Sequence, residues 1–177
     1  MIKRDNVRVC VPRYLQIGKG SLNELPEIIK ILGSINSLLI VTDKQMVKFG
    51  YVKKLQEVLS KEGIKSDVFD DTVPDPTDTV VLNGINFLDK CKNDAVIGFG
   101  GGSPIDTAKA IAAMAKYSKN IQDYKPPFMF DKKGLPIIAI PTTAGTGSEV
   151  THHAVIIDSK NNEKISCRGE GLSLIHI

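Results

Sequence analysis

The chain has 177 residues, of which 42% are hydrophobic and 24% are charged, a balance typical of a globular protein that buries a core. Its formal net charge is only +3 and no basic run is interleaved with aromatic residues, so we expect no binding to nucleic acid. No apolar run approaches the ~18 residues of a membrane span, and no apolar segment follows the charged N-terminus as it would in a secretory signal. The cysteines lie far apart without C-x-x-C spacing, which predicts free thiols in a cytoplasmic protein without membrane contact.

The chain begins with a β-prone segment and then a helix-prone one. Residues 7–18 alternate and predict a strand or hairpin that ends at Gly18. The helical spacing at residues 21–33 predicts a helix whose start is ambiguous. Ser21 and Glu24 match a capping box, whereas Pro26 favours a first turn of its own. A short 3₁₀ turn leading into the helix would satisfy both signals.

Strand-prone and helix-prone segments continue to alternate along the chain. This order predicts βαβ units, and therefore an α/β fold with a Rossmann-like parallel sheet covered by helices on both faces. Ligands of such sheets bind beyond the carboxyl ends of the strands, where the small-residue loops of this sequence fall. Further on, two β-prone runs flank residues 159–162 and predict a C-terminal β-hairpin. The predicted strands are residues 37–43, 65–71, 95–99 and 135–141, and the helices between them are residues 50–63, 74–94 and 104–117.

The stretch "AVIGFGGGSPIDTAKA" at residues 95–110 places three glycines between a strand and a helix. Glycine backbone can approach a ligand closely, and Ser103 as N-cap, with Asp106 completing a Ser-x-x-Asp box, would define the helix start. Free N–H groups at such a helix start form an anion site, which suits a diphosphate. The P-loop pattern is absent, and G-x-G-x-x-G is met only partly because Ser103 occupies the place of the third glycine. A tight turn without a ligand is the alternative.

Two segments carry a family resemblance. "GFGGGSPIDTAKA", followed about 30 residues later by "IPTTAGTGSEVT", resembles the iron-containing (group III) alcohol dehydrogenases, and "PRYLQIGKGSL", "LLIVTD" and "VPDPT" fall where that family carries similar segments. The resemblance covers about Val11 to Arg168. It implies an N-terminal nucleotide-binding domain that is followed, in relatives, by an all-helical domain. Those proteins oxidise alcohols or reduce aldehydes with NAD or NADP and a divalent metal, usually iron.

The resemblance also implies roles for individual residues. Asp43 would accept hydrogen bonds from the adenosine ribose and repel a 2′-phosphate, which favours NAD over NADP; alternatively it only caps the next helix. Lys164 matches a family lysine that reaches the cofactor, or else is a solvated hairpin lysine. Asp75 stands where relatives commonly carry Asn, and its charge would lie near the cofactor. The diphosphate region would be held by Gly101, Gly102, Ser103 and Asp106. The adenine and nicotinamide side would be lined by Thr142, Thr143, Gly145, Thr146 and Thr151, unless their hydroxyls serve only turn bonds.

The family's metal ligands, one Asp and three His, lie in the helical domain, which this sequence lacks. His152 and His153 would point to opposite faces of a strand and are a poor metal pair. The tail "GEGLSLIHI" has no family counterpart, so we expect residues 1–168 to be an NAD-binding domain and residues 169–177 a non-family tail of a truncated product, inactive alone.

The expected substrate of the full-length enzyme is a small alcohol or aldehyde, with Fe²⁺ or another divalent metal, in a homodimer or larger homo-oligomer. "PTTAGTGSEVT" argues against a dehydroquinate synthase. A glycerol dehydrogenase-like relative and a stand-alone nucleotide-binding module without catalysis remain as alternatives.

Overall fold

The computed structural model describes residues 12, 14–117, 120–131, 134–172 and 174–176, and within them five parallel strands form a central sheet. Their order is β2-β1-β3-β4-β7, and two further strands form a separate antiparallel hairpin. The predicted parallel sheet and hairpin are therefore confirmed. The strands are β1 (Ser37–Val41), β2 (Lys65–Phe69), β3 (Ala95–Gly100), β4 (Ile137–Pro141), β5 (His153–Asp158), β6 (Glu163–Arg168) and β7 (Ile175–His176).

Helices cover both faces of the sheet. Successive residues of β1 show this, since Leu38 and Ile40 pack with the first three helices while Leu39 and Val41 pack with the last two, all at 0% exposure. A strand buried on both faces needs a continuous apolar run, and each such side chain contributes about 1.5–3 kcal/mol by leaving water. The helices are α1 (Leu25–Leu32), α2 (Lys44–Lys48), α3 (Tyr51–Lys61), α4 (Asp78–Cys91) and α5 (Gly102–Met114). None of the helices in the described residues is long and apolar enough to cross a membrane.

The start of α1 resolves the ambiguity in the sequence. A 3₁₀ turn spans Ser21–Glu24 and leads directly into α1, whose first turn contains Pro26, so the predicted short turn is confirmed. The capping box is not formed, because the Ser21 hydroxyl donates to Gly18 O at 2.7 Å instead. Half of the strand predicted at residues 7–18 lies outside the described residues, and the described residues 14–18 form no strand, so that part of the prediction is wrong.

The start of α5 differs from the prediction. Gly101 is the N-cap and α5 begins at Gly102, so Ser103 is the second helical residue rather than the cap. The reason is that β3 continues through Gly100, whose φ of 146° and close approach to Pro104 require glycine, and the chain turns into the helix at once. The Ser-x-x-Asp box is also wrong, because Asp106 Oδ2 accepts a hydrogen bond from Val155 N at 3.1 Å.

The hairpin packs on α5. Strands β5 and β6 pair from His153↔Arg168 to Asp158↔Glu163, with the turn at residues 159–162 as predicted. Its inward residues, among them Ala154 and Ile165, join the core on the α4 and α5 side of the sheet. After Arg168 the chain forms a 3₁₀ turn, and β7 then pairs with β4. The division proposed at Arg168 stays a prediction.

Candidate functional site

A cleft of about 690 Å³ opens at the carboxyl edge of the sheet. Strand β1 lies between β2 and β3, so the chain leaves β1 towards one side of the sheet and later returns to the other side. This reversal of strand order leaves a crevice above β1 and β3, the usual ligand position in open α/β sheets. Four strand ends supply the walls: Asp43, Lys44 and Gln45 after β1, residues 70–74 after β2, Gly101 to Pro104 after β3, and Thr142 and Thr143 after β4.

The N-terminus of α5 forms one wall of this cleft. The first helical hydrogen bond is donated by Ile105 N to Gly101 O, so the amides of Gly102 and Ser103 precede the helical ladder. Neither amide has an acceptor within the described residues. Both residues line the cleft, so two backbone donors and the positive end of a 13-residue helix face it. This wall can bind an anion without any cationic side chain.

Asp43 follows β1 and has one role that the structure shows, as the cap of the next helix. Its Oδ1 accepts from Gln45 N at 2.9 Å and from Met46 N at 3.0 Å, so Asp43 is the N-cap of α2. Its Oδ2 makes no hydrogen bond within the described residues and lies near Gly100, 3.6 Å from the point that a Cβ there would occupy. Capping is therefore confirmed, and the second oxygen stays available in the cleft.

The loop after β4 contributes two of its predicted residues to the cleft. Thr142 and Thr143 line it, whereas Gly145 and Thr146 do not. Thr146 Oγ1 donates to Glu149 Oε2 and accepts from Ser148 N, each at 3.3 Å, so this hydroxyl makes turn bonds. Its side chain nevertheless lies 3.3 Å from the position of a Cβ on Gly102, which places the loop against the start of α5.

Asp75 and Lys164 form an ion pair outside the cleft lining. Lys164 Nζ lies 2.8 Å from Asp75 Oδ1, and the two side chains are 61% and 63% exposed. Asp75 follows Pro74, the last residue of the β2 wall, so the pair stands next to the cleft. An exposed pair of this kind contributes about 0–1 kcal/mol. Its effect is to hold the hairpin lysine beside the loop that follows β2.

Asp106 and Thr151 also lie outside the cleft lining, and both contact Lys109, which the sequence reasoning missed. Lys109 is 0% exposed, and its Nζ donates to Thr151 O at 2.8 Å, His153 O at 2.7 Å and Thr151 Oγ1 at 3.3 Å. Asp106 Oδ1 is 3.8 Å from the same nitrogen. Together with the bond from Val155 N to Asp106, these contacts fix the backbone of β5 and the end of the preceding loop onto α5.

Burial dominates the protonation of this pair. It raises the pKa of Asp106 and lowers the pKa of Lys109 to about 8, although each group favours the charged form of the other. The sequence did contain a signal for Lys109, because Asp106 and Lys109 are the only charged residues of α5, which is otherwise rich in alanine.

The wall that follows β2 was not predicted as part of the site. Asp70 and Asp71 lie there, and Lys44 is 3.2 Å from Asp71. With Asp43, this gives three carboxylates and one ammonium group on this side of the cleft. The signal was present, since Asp70 and Asp71 end the strand predicted at residues 65–71 and residues 72–74 follow it, which places them at the same edge as the glycines.

Among the described residues, no group of three or more His, Cys, Asp or Glu side chains converges as a metal site would require. His152 and His153 are adjacent, and only His153 belongs to β5. Burial is the largest cause that lowers the pKa of His153, followed by the charge of Arg168. The described part of the chain therefore does not fit a bound metal ion.

Comparisons with known proteins agree on one family. The family model described as iron-containing alcohol dehydrogenase matches residues 12–173. A relative named long-chain-alcohol dehydrogenase 1, from Geobacillus thermodenitrificans, is 39% identical over 152 residues, which are 84% of this chain and 38% of the relative. NAD-dependent methanol dehydrogenase from Bacillus methanolicus is 37% identical over 88% of this chain and 40% of its own length.

A solved structure extends the similarity to three dimensions. The sulfoacetaldehyde reductase of Bifidobacterium kashiwanohense, crystallised in complex with NAD+, superposes with a TM-score of 0.86 at 32% identity. The superposition covers 96% of this chain and 44% of the reductase. The chain thus spans about 40% of the length of the curated relatives that it matches.

Proposed function

Because the chain belongs to the iron-containing alcohol dehydrogenase family, we propose that its cleft binds NAD(H) for the reversible oxidation of a small alcohol to an aldehyde or ketone. The chain would supply the dinucleotide-binding part of such an enzyme. Family membership and the cleft support this proposal together. The sequence resemblance further leads us to propose a homodimer or larger homo-oligomer for the full-length enzyme, which light scattering would test.

The observation that carries the proposal is the start of α5 in the cleft wall. A diphosphate needs several donors on one surface, and the amides of Gly102 and Ser103 supply them. The two glycines also keep this surface open. A Cβ at Gly101 would lie 3.3 Å from Thr143 Oγ1, and one at Gly102 would lie 3.2 Å from Ser148 Oγ, so side chains there would crowd the space beside the amides. These residues fit a dinucleotide diphosphate.

The other walls suggest which dinucleotide is preferred. Asp43 Oδ2 is free to accept hydrogen bonds from ribose hydroxyls, while its charge, with those of Asp70 and Asp71, repels a 2′-phosphate. Among the described residues, Lys44 is the one cationic side chain in the lining, and it is paired with Asp71. We therefore propose NAD as the cofactor in preference to NADP.

The predicted residues that line the cleft then have a task in positioning the cofactor. Bound NAD supplies the hydride acceptor, and the chain's own residues orient it: the α5 amides hold the diphosphate and Asp43 holds the adenosine ribose. Thr142 and Thr143 can hydrogen-bond the remaining polar groups without adding charge. Lys164, Asp75, Gly145 and Thr146 stand at or behind the rim, and Asp106 and Thr151 act through Lys109. The residues described here offer no metal site, so no step of theirs involves one.

Isothermal titration calorimetry of the chain with NADH and with ADP-ribose tests the proposal by measuring the two dissociation constants. Gly101→Val should keep the fold, because Gly101 has a φ of −79° that valine tolerates, yet its methyl groups would enter the cleft. We expect at least a tenfold weaker affinity for both ligands, about 1.4 kcal/mol, with little change in melting temperature. A folded, unsubstituted chain that binds neither ligand would refute the function.

A second titration tests the preference for NAD. Asp43→Asn retains an N-cap side chain but removes the charge, so the preference for NADH over NADPH should narrow. Asp94→Asn is a matched control, because Asp94 accepts from Ser37 N at the opposite edge of the sheet. That control should leave both affinities unchanged. An unaltered NADH preference in Asp43→Asn would contradict the role given to this carboxylate.

A further inference from the structure

One hydroxyl in the cleft wall is buried and has no hydrogen-bond partner in the part of the chain that the structure describes. Thr72 follows β2, is 6% exposed and lines the cleft. Its Oγ1 makes no hydrogen bond within the described residues. A buried hydroxyl that has left water without gaining a partner costs free energy, so such a group in a binding cleft calls for an explanation.

The position of Thr72 is well fixed. Its backbone N donates to Thr42 O at 3.3 Å, and the residues next to these two, Asp43 and Asp71, form an isolated β-bridge. Strands β1 and β2 are thus tied together beyond their ends, where the residues that follow them form the cleft wall. The backbone that carries the unpaired hydroxyl is therefore fixed at Asp71 and at the amide of Thr72.

Thr42 provides a comparison within the same pair of strand ends. Its hydroxyl donates to Phe99 O at 2.8 Å, and the residue is 0% exposed. Thr42 does not line the cleft. Of two buried threonines joined by a backbone hydrogen bond, the one away from the cleft is satisfied by the protein and the one in its wall is not.

We infer that Thr72 is a ligand-binding residue whose hydroxyl pairs with the adenosine half of the bound dinucleotide. This inference rests on the proposed function. The diphosphate is assigned to the α5 amides, and Thr72 belongs to the opposite, β1–β2 side of the cleft, which it shares with Asp43. A hydroxyl both donates and accepts, so it can pair with a ribose hydroxyl or a ring nitrogen of the nucleoside while Asp43 accepts from the ribose.

The test compares Thr72→Val, which removes the unpartnered hydroxyl, with Thr42→Val, which removes the hydrogen-bonded one. Neither substitution changes the shape of the side chain. Dissociation constants are measured for ADP-ribose and for inorganic pyrophosphate, which lacks the adenosine, and melting temperatures are measured without ligand. Thr72→Val should bind ADP-ribose about two- to tenfold more weakly, bind pyrophosphate as before, and melt at the same or a higher temperature. Thr42→Val should melt at a lower temperature and keep its ADP-ribose affinity. Thr72→Ser, which retains the hydroxyl, should bind ADP-ribose close to normally.

Each other outcome overturns the inference. Equal ADP-ribose affinity in Thr72→Val would mean that the hydroxyl does not touch the nucleoside, while binding by the unsubstituted chain would still support the dinucleotide function. A fall in melting temperature like that of Thr42→Val would mean that the hydroxyl has a partner within the protein. An unsubstituted, folded chain that binds neither ADP-ribose nor pyrophosphate would remove the dinucleotide function and the role of Thr72 with it.

Discussion

Replacing Lys109 with methionine tests whether the buried ammonium group holds the hairpin onto α5. The methionine stem fills much of the same space, so the main change is the loss of the charge and its hydrogen bonds. Two of these bonds are short, at 2.8 Å to Thr151 O and 2.7 Å to His153 O, and both carbonyls would lose a donor. Asp106, 3.8 Å away, would lose its cation and keep the bond from Val155 N.

The magnitude follows from these contacts. A hydrogen bond to a charged group contributes about 1.5–3 kcal/mol, and removal of one partner of a buried ion pair costs about 3–5 kcal/mol. We therefore expect Lys109→Met to lower the free energy of unfolding by about 3–5 kcal/mol, a large part of the ~5–15 kcal/mol that stabilises a typical domain.

Urea denaturation followed by circular dichroism measures this loss. Lys116→Met is the matched control, because Lys116 is exposed just beyond the end of α5 and should change stability by no more than about 0.5 kcal/mol. Adding Asp106→Asn to Lys109→Met should recover part of the loss, since it removes the carboxylate that was left without its cation. A loss below about 1 kcal/mol in Lys109→Met would refute the view that this lysine anchors the hairpin.

Three further predictions concern pH, thiol reactivity and packing. The pKa of Lys109 is lowered from 10.5 to about 8, so between these pH values the unfolded chain binds more protons than the folded chain. The free energy of unfolding of the unsubstituted chain, relative to that of Lys109→Met, should therefore rise with pH in this window by at most about 1.4 kcal/mol per pH unit. A relative free energy that does not change with pH would contradict the lowered pKa. Burial raises the pKa of Cys167 from 9.0 to about 12 at 1% exposure, so iodoacetamide at neutral pH should modify this thiol only in urea, as mass spectrometry would show; modification of the folded chain would disprove its burial. In Gly98→Ala the new Cβ would lie 2.9 Å from Ile105 Cα and 3.0 Å from Ala108 Cβ, so α5 would be pushed away from β3. Urea denaturation should then show a free energy of unfolding that is lower by about 1–3 kcal/mol. An unchanged denaturation midpoint would show that α5 can shift without loss of stability.

The central strands β1, β3 and β4 could be predicted because they are buried on both faces. Such strands appear in the sequence as continuous apolar runs, as at "SLLIV" and "AVIGF", and the helices between them show regular apolar spacing. The parallel order then places every loop that follows a strand at one edge. That reasoning predicted the small-residue loops after β3 and β4 at one edge, and the family resemblance added Asp43 and the individual threonines.

Other features depend on contacts between distant segments, which a local pattern does not contain. Ser103 and Asp106 match a capping motif, yet the chain turns into α5 at Gly101 and Asp106 binds the backbone of β5 instead. The short helix α2 has five residues and was missed, because its one strong signal is the cap at Asp43, which also suits a ligand contact. Thr72 resembles any loop threonine until the cleft and its lack of a partner are seen.

The way α5 holds β5 has a consequence for association between molecules. Strand β5 pairs with β6 on one side only, so its outer backbone groups would ordinarily be open to a strand from another chain. Here Lys109 Nζ donates a hydrogen bond to the carbonyl of His153. Asp106 accepts one from the amide of Val155, and Pro76 O accepts one from the amide of Ile157. A helix and a loop thus replace the missing neighbour strand along β5, and this edge of the hairpin is protected against edge-to-edge aggregation.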